Sequence, residues 1–211
     1  MPTLYHHTMS TASRFIRLVL SEYGFQTDLV EEQTWEKRKE FLAFNPAGTL
    51  PVYVDDNMRA LCGPTIISEF IDETHGVLKR DRRLFAEDPF QRAEIRRLTE
   101  WFLQKMEQDV TKPLVRERVH KLIIPNGLGG GAPDSKVLRT ARSNIRHHMK
   151  YLTWLSVSRQ WLAGDRISYA DLSRQRLFPC LIISARSTGT NSRSPRNGIS
   201  ASSRGRPSAR C

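Results

Sequence analysis

A seam after Leu172 decides how much of this chain can build a hydrophobic core. Residues 1–172 mix acids, bases and periodically spaced apolar residues. Residues 173–211 hold eight Arg and nine Ser, but no Asp, Glu, Lys, His, Trp or Tyr. The last ~25 residues of that stretch cannot bury enough apolar surface to offset their ordering entropy. The seam also reassigns the charge. A net +11 would ordinarily point to nucleic acid or an anionic surface. Residues 1–172 hold 25 of the 33 basic residues and all 22 acids, a net of +3. The basic character belongs to the tail, and nucleic acid is not the expected partner of the folded part.

Three cysteines, Cys62, Cys180 and Cys211, have neither metal-ligand spacing nor an even count, which argues against a disulfide framework. The MPTLYHH start lacks the basic-then-apolar order of a signal peptide, and the longest apolar stretch, Leu177 to Ile183, is too short to span a bilayer. A cytoplasmic protein is the expectation.

Along the chain, Thr3 to Tyr5 reads as a strand, and Ser10 is placed to cap a helix that turns Phe15, Ile16, Val19 and Leu20 inward and ends near Gly24. Thr27 to Val30 reads as a second strand, and Trp35 to Leu42 as a polar helix. TLPVYVDDNMRALCG has two short apolar runs around Asp55-Asp56-Asn57, a hairpin pattern. Thr65 to Glu73 is amphipathic. The order β-α-β-α-β-β-α predicts helices on a mixed sheet for residues 1–77. A charged linker, 78–88, leads to an all-helical region, 89–172. Its helices run from Pro89 to about Arg118 and from Ser135 to about Val157, and a third starts at Ser168. The glycine run 129–131 reads as a hinge-like loop, since it lacks the flanks of a phosphate loop.

Three stretches carry a resemblance. NPAGTLPVY places Pro51 between loop and strand, where a cis bond is expected. LYHHTMSTASRFIRLVLSEYGF places a hydroxyl at a strand-to-helix turn. WLAGDRISYADL carries Ser168 and Asp171 at capping-box spacing. In this order they resemble the cytosolic glutathione S-transferase family. The resemblance implies a thioredoxin-like α/β domain followed by an all-α domain, here left incomplete. EEQTWEKRKEFLAFNPAGTLPVYVDD, CGPTIISEFIDETHG and GGGAPDSKVLRTARSNIRHHMKYLTWL are similar to a bacterial subgroup of that fold that binds the cell-division protein FtsZ. FtsZ is therefore the partner that the resemblance implies, and a homodimer is admitted by it.

The resemblance also implies a site. Ser10 matches the residue that holds the glutathione thiolate at the first helix N-terminus, where the helix dipole favours negative charge. A plain N-cap requires the same position. Leu50 and Pro51 match the backbone clamp for the peptide. Gly63 and Pro64 stand where glutathione-binding members carry Glu-Ser. Gly63 has no carboxylate, and Pro64 has neither hydroxyl nor N–H. Each lost charge-assisted hydrogen bond is worth on the order of 1.5–3 kcal/mol, which predicts weak or absent glutathione binding. No cofactor is expected, glutathione being a co-substrate only in an active enzyme.

No metal site is expected. His6-His7 and His147-His148 are sequence neighbours whose side chains diverge, and a surface or boundary position is the expectation for them. Arg92, Arg96 and Arg97 with Glu94 and Glu100 read as a solvated helix face, with a partner-binding face as the alternative.

Two readings compete for the tail: a disordered basic segment suited to RNA or an acidic partner, and a translation in the wrong frame. With codons that the tail permits, reading one nucleotide earlier, LSRQRLFPCLIISARSTGTNS allows LAAAAISVLDYLGEIDWNEF, and NGISASSRGRPSARC allows EWYQRIKSRPSFRPL. Both products look like helices of the family and come from one shift, which favours the frame reading. Three functions follow: a weakly or non-catalytic binding protein, a transferase using Ser10, and nucleic-acid binding through the tail.

Overall fold

The computed structural model describes residues 1–175, and the readings made for 176–211 lie outside them. β1 (Thr3–His6) passes through a short loop into α1 (Thr11–Tyr23). The helix ends on Gly24 at φ 73°, a conformation that a residue without Cβ adopts at no steric cost. β2 (Asp28–Glu31) returns parallel to β1, as a helical crossover demands.

The next helix differs from the sequence pattern. A 3-10 turn, Thr34–Glu36, is followed by α2 at Lys39–Phe44. Lys37 takes φ 50°, which breaks the helical path, and Arg38 reaches back to the buried Glu32 carboxylate.

β3 (Val52–Val54) and β4 (Ala60–Cys62) form the predicted hairpin. In its turn the Asp55 carboxylate accepts the Asn57 and Arg59 N–H groups at 3.0 and 2.8 Å. The sheet order is β2-β1-β3-β4, with β3 antiparallel to both neighbours. All three β3 residues are buried because the sheet is covered on both faces. On one face α1 and α3 (Pro64–Thr74) bury Leu4, Phe15, Ile16, Val19, Ile67 and Ile71. On the other, α2 brings Phe41 onto Val52 and Val54.

The 78–88 stretch, charged enough to read as a linker, is fastened to the sheet domain. Asp72 of α3 accepts the Tyr23 hydroxyl at 3.1 Å, pairs with Arg83 at 2.7 Å and takes the Phe85 N–H at 3.4 Å. Leu84 and Phe85 are thereby buried in the core that both parts of the chain share.

α4 (Pro89–Glu100) begins on Asp88, whose carboxylate accepts the Gln91 N–H at 2.7 Å. The helical path does not stop near Arg118 but continues to Ile123. Three π-helical turns (Trp101–Lys105, Glu107–Thr111, Arg116–His120) alternate with α5 (Lys112–Val115) and α6 (Lys121–Ile123). The glycine run is not a hinge. Gly131 N–H is bound to the Lys121 carbonyl at 2.9 Å, and a Cβ on Gly130 would meet the Ile124 carbonyl oxygen at 1.8 Å. Only glycine lets the loop close against the helix end.

α7 (Ser135–Ser158) and α8 (Tyr169–Gln175) complete the described bundle. Leu98, Phe102, Met106, Val110 and Leu114 pack there against Ala141, Leu155, Leu162 and Ala170. Tyr169 ties the two parts together, donating its hydroxyl to the Ser68 carbonyl at 3.0 Å. Among the described residues no helix is long and apolar enough to cross a membrane.

Candidate functional site

Sheet register gathers the sequence-predicted site residues at one end of the sheet. Tyr5 pairs with Val52 and Val52 with Cys62, so the loop after β1, the start of β3 and the end of β4 adjoin. That end carries Ser10, Leu50-Pro51 and Gly63-Pro64 respectively.

Ser10 is the N-cap of α1, half-buried, with φ −79° and ψ 120°. Its Oγ accepts the Ser13 N–H at 3.2 Å, which leaves the hydroxyl proton to donate outward. The Leu50–Pro51 peptide bond is cis. Within the described residues neither the N–H nor the C=O of Leu50 is taken by another group, so both are open to an extended ligand. Gly63 differs: at φ 95° its N–H is already bound to the Pro51 carbonyl at 3.0 Å. Pro64 fills the first position of α3 and offers no donor there. Leu50 thus presents an open backbone beside an α3 start that has no side-chain carboxylate or hydroxyl and no N–H at Pro64.

The structure adds partners that spacing alone does not reveal. Thr8 donates its hydroxyl to Glu31 at 3.0 Å, and this bond is the main cause that holds the Glu31 carboxyl below its ordinary value. His7, Trp35 and His120 meet across the two parts of the chain with ring centroids 5.4–6.4 Å apart. Burial lowers the His120 pKa. Beneath the start of α1, burial raises the pKa of Glu107, a shift that Thr11 and Arg14 oppose. Arg14 is itself buried and donates to the Thr8 carbonyl at 2.8 Å. Glu107 and His120 lie about a hundred residues from the groups they face, so no local signal in the sequence pointed to them.

The histidine pairs are not both at the surface. His6 and His148 are buried, the latter because its Nε2 lies 3.2 Å from the Asp109 carboxylate and its ring packs edge-on to Trp101. Among the described residues no cluster of three His, Cys, Asp or Glu side chains is placed to hold a metal ion. Three of the five α4 charges are paired rather than merely solvated. Glu94 binds Arg97 and Arg159, each at 2.7 Å, and hydrogen bonding from Arg97 draws its pKa down to about 2. Arg96 pairs with Glu69 at 2.6 Å.

With this geometry in place, similarity to known proteins becomes informative. Residues 4–81 match the family described as glutathione S-transferase, N-terminal domain. FtsZ-localized protein A of Caulobacter vibrioides is 36% identical over 174 residues, which span 81% of this chain and 73% of that protein. A crystal structure of a glutathione S-transferase from Sinorhizobium meliloti superposes with a TM-score of 0.83 at 74% identity, covering 86% of this chain and 78% of that one. FzlA from C. crescentus superposes with a TM-score of 0.76 at 35% identity, over 85% and 77% of the respective chains. A thioredoxin-like sheet, a cis-proline at the start of β3 and a helical second part, matched along most of a curated relative, place this chain in the glutathione S-transferase family.

Proposed function

We propose that the chain is a binding member of its family that acts on FtsZ filaments in the cytoplasm, with little or no glutathione-conjugating activity. The observation that carries this reading is the start of α3. Gly63 has its N–H engaged and no side chain, and Pro64 has no donor, so the anchor for the γ-glutamyl end is missing. Losing two or three charge-assisted hydrogen bonds weakens a ligand by several powers of ten. The scaffold itself keeps its packing without them. The relative named as FtsZ-localized supports the choice of partner.

A second reading, an active transferase, is favoured by Ser10 at the α1 N-terminus beside an open Leu50 backbone. One experiment separates the two: sedimentation of the full chain with FtsZ polymers, beside a glutathione-conjugation assay with a chlorodinitrobenzene electrophile. Co-sedimentation without turnover is expected. Turnover without co-sedimentation, or micromolar glutathione binding by calorimetry, would reverse the assignment.

A further inference from the structure

α7 is the most one-sidedly charged element of the described structure. Over its 24 residues it has Lys136, Arg139, Arg142, Arg146 and Lys150, and no Asp or Glu. At about 100° per residue these five fall within an arc of roughly 120°, and Trp154 and Val157 continue the same stripe. The opposite side of the helix, with Ala141 and Leu155, is buried in the bundle core. The stripe therefore faces out. Arg139, Arg146, Lys150, Trp154 and Val157 are all exposed, the last two at 58% and 83%.

Carboxylates neutralise many of the cations elsewhere in the described structure, and the α7 stripe brings none of its own. Arg38, Arg59, Arg83, Arg96, Arg97, Lys105, Lys121 and Arg159 each have a carboxylate partner. Arg139, Arg146 and Lys150 close no ion pair among the described residues, and Lys136 has the N-cap Asp134 near it. From Lys136 to Lys150 the stripe is about 21 Å long. At its end the Trp154 ring stacks on Tyr151, with 6.0 Å between centroids and 15° between planes. The Tyr151 hydroxyl in turn accepts from Arg97 at 2.9 Å, which holds the aromatic pair in place.

We infer that the outer face of α7 is a docking surface for an acidic segment of a partner protein, with Trp154 and Val157 as its apolar anchor. This rests on the reading of the chain as a binding protein. Three anionic partner classes fit the charge, and the surroundings choose between them. A membrane-bound helix must insert an apolar side, and that side of α7 is already used in the core. Single-stranded nucleic acid needs aromatic platforms interleaved with the cations, and of the exposed positions between them Thr140 and Ser143 carry no ring and His147 carries a single one. An acidic helix repeats its carboxylates every three to four residues with the same rise as α7, so one partner helix meets each cation in turn. Charged neighbours along such a line set approach and register, and a partly exposed aromatic at its end supplies the anchor.

The test uses the full chain, an R139E/R146E/K150E variant and a W154A variant, each checked for an unchanged circular-dichroism spectrum. The probes are a Glu-rich helical peptide long enough to span α7, a single-stranded oligonucleotide, phosphatidylglycerol vesicles and FtsZ polymers. The peptide is expected to bind the unaltered chain and to bind the triple variant about tenfold more weakly or worse. The same loss is expected on raising salt from about 50 to about 300 mM, and W154A should weaken binding at constant salt. Equal peptide binding by the unaltered chain and the triple variant would overturn the inference, as would tighter binding of the oligonucleotide or the vesicles. The FtsZ arm separates two failures. If the unaltered chain does not sediment with the polymers, the choice of FtsZ falls. If it does and the triple variant sediments equally, the α7 face falls.

Discussion

On the proposed reading, Pro64 removes a ligand anchor while leaving a helix start intact. Proline suits the first helical position, because the N–H that it lacks would have no intrahelical partner and its φ is already helical. For a ligand the same absence removes a backbone donor and a hydroxyl together. Pro64→Ser restores both groups at little structural cost, while Gly63 must stay because of its φ of 95°. We expect glutathione affinity measured by calorimetry to rise about tenfold or more, as one charge-assisted hydrogen bond warrants. An unchanged affinity would mean that the missing anchor is not what limits binding. This departure was legible in the sequence, since it depends only on residue type at a position fixed by the downstream helix. Glu107 and His148 were not. Their burial arises from groups such as Thr11 and Asp109, which only the folded chain brings beside them.

Among the elements, those whose ends are set by local chemistry followed the sequence, and those governed by distant contacts did not. α1 starts at Ser10 and stops at Gly24, and the hairpin turns at Asp55, because each signal acts within four residues. α2 is shorter than its pattern, since Arg38 is drawn to Glu32. The run from Pro89 outlasts its pattern because π turns rephase its apolar side within the bundle. α8 is the element with the most concentrated local signal. The Asp171 carboxylate accepts the Ser168 N–H and hydroxyl at 3.0 Å each and the Leu162 N–H at 3.1 Å, all in a buried setting. Asp171→Ala would strand these donors away from water. A loss of about 3 kcal/mol is expected from the urea unfolding midpoint. A loss below about 0.5 kcal/mol would show that the loop before α8, not the box, holds the helix.

For the molecule as a whole, α8 matters because it is shared. Tyr169 and Leu172 enter the core beside α1 and α3, and Ala170 enters the bundle core. Leu172 and Ser173 are still buried where the chain reaches the compositional seam. A helix entering so apolar a place calls for small and apolar residues next. The sequence instead supplies Arg174 and Arg176, then Pro179, and a proline inside a helix costs roughly 3 kcal/mol or more. The alternative frame supplies LAAAAISVLDYLGEIDWNEF, whose run of alanines and spaced apolar residues suits both the helix and its surroundings. We therefore propose that the alternative frame supplies the residues that complete the bundle. Restoring it by removal of two bases after the Leu172 codon should raise the melting temperature and lower the tendency to aggregate, because the residues then encoded can extend α8 and its buried face. The two chains can be compared by calorimetry and by light scattering at equal concentration. An unchanged melting temperature would show that the shared core around Tyr169 is sufficient by itself, and the case for the alternative frame would then rest on codons alone.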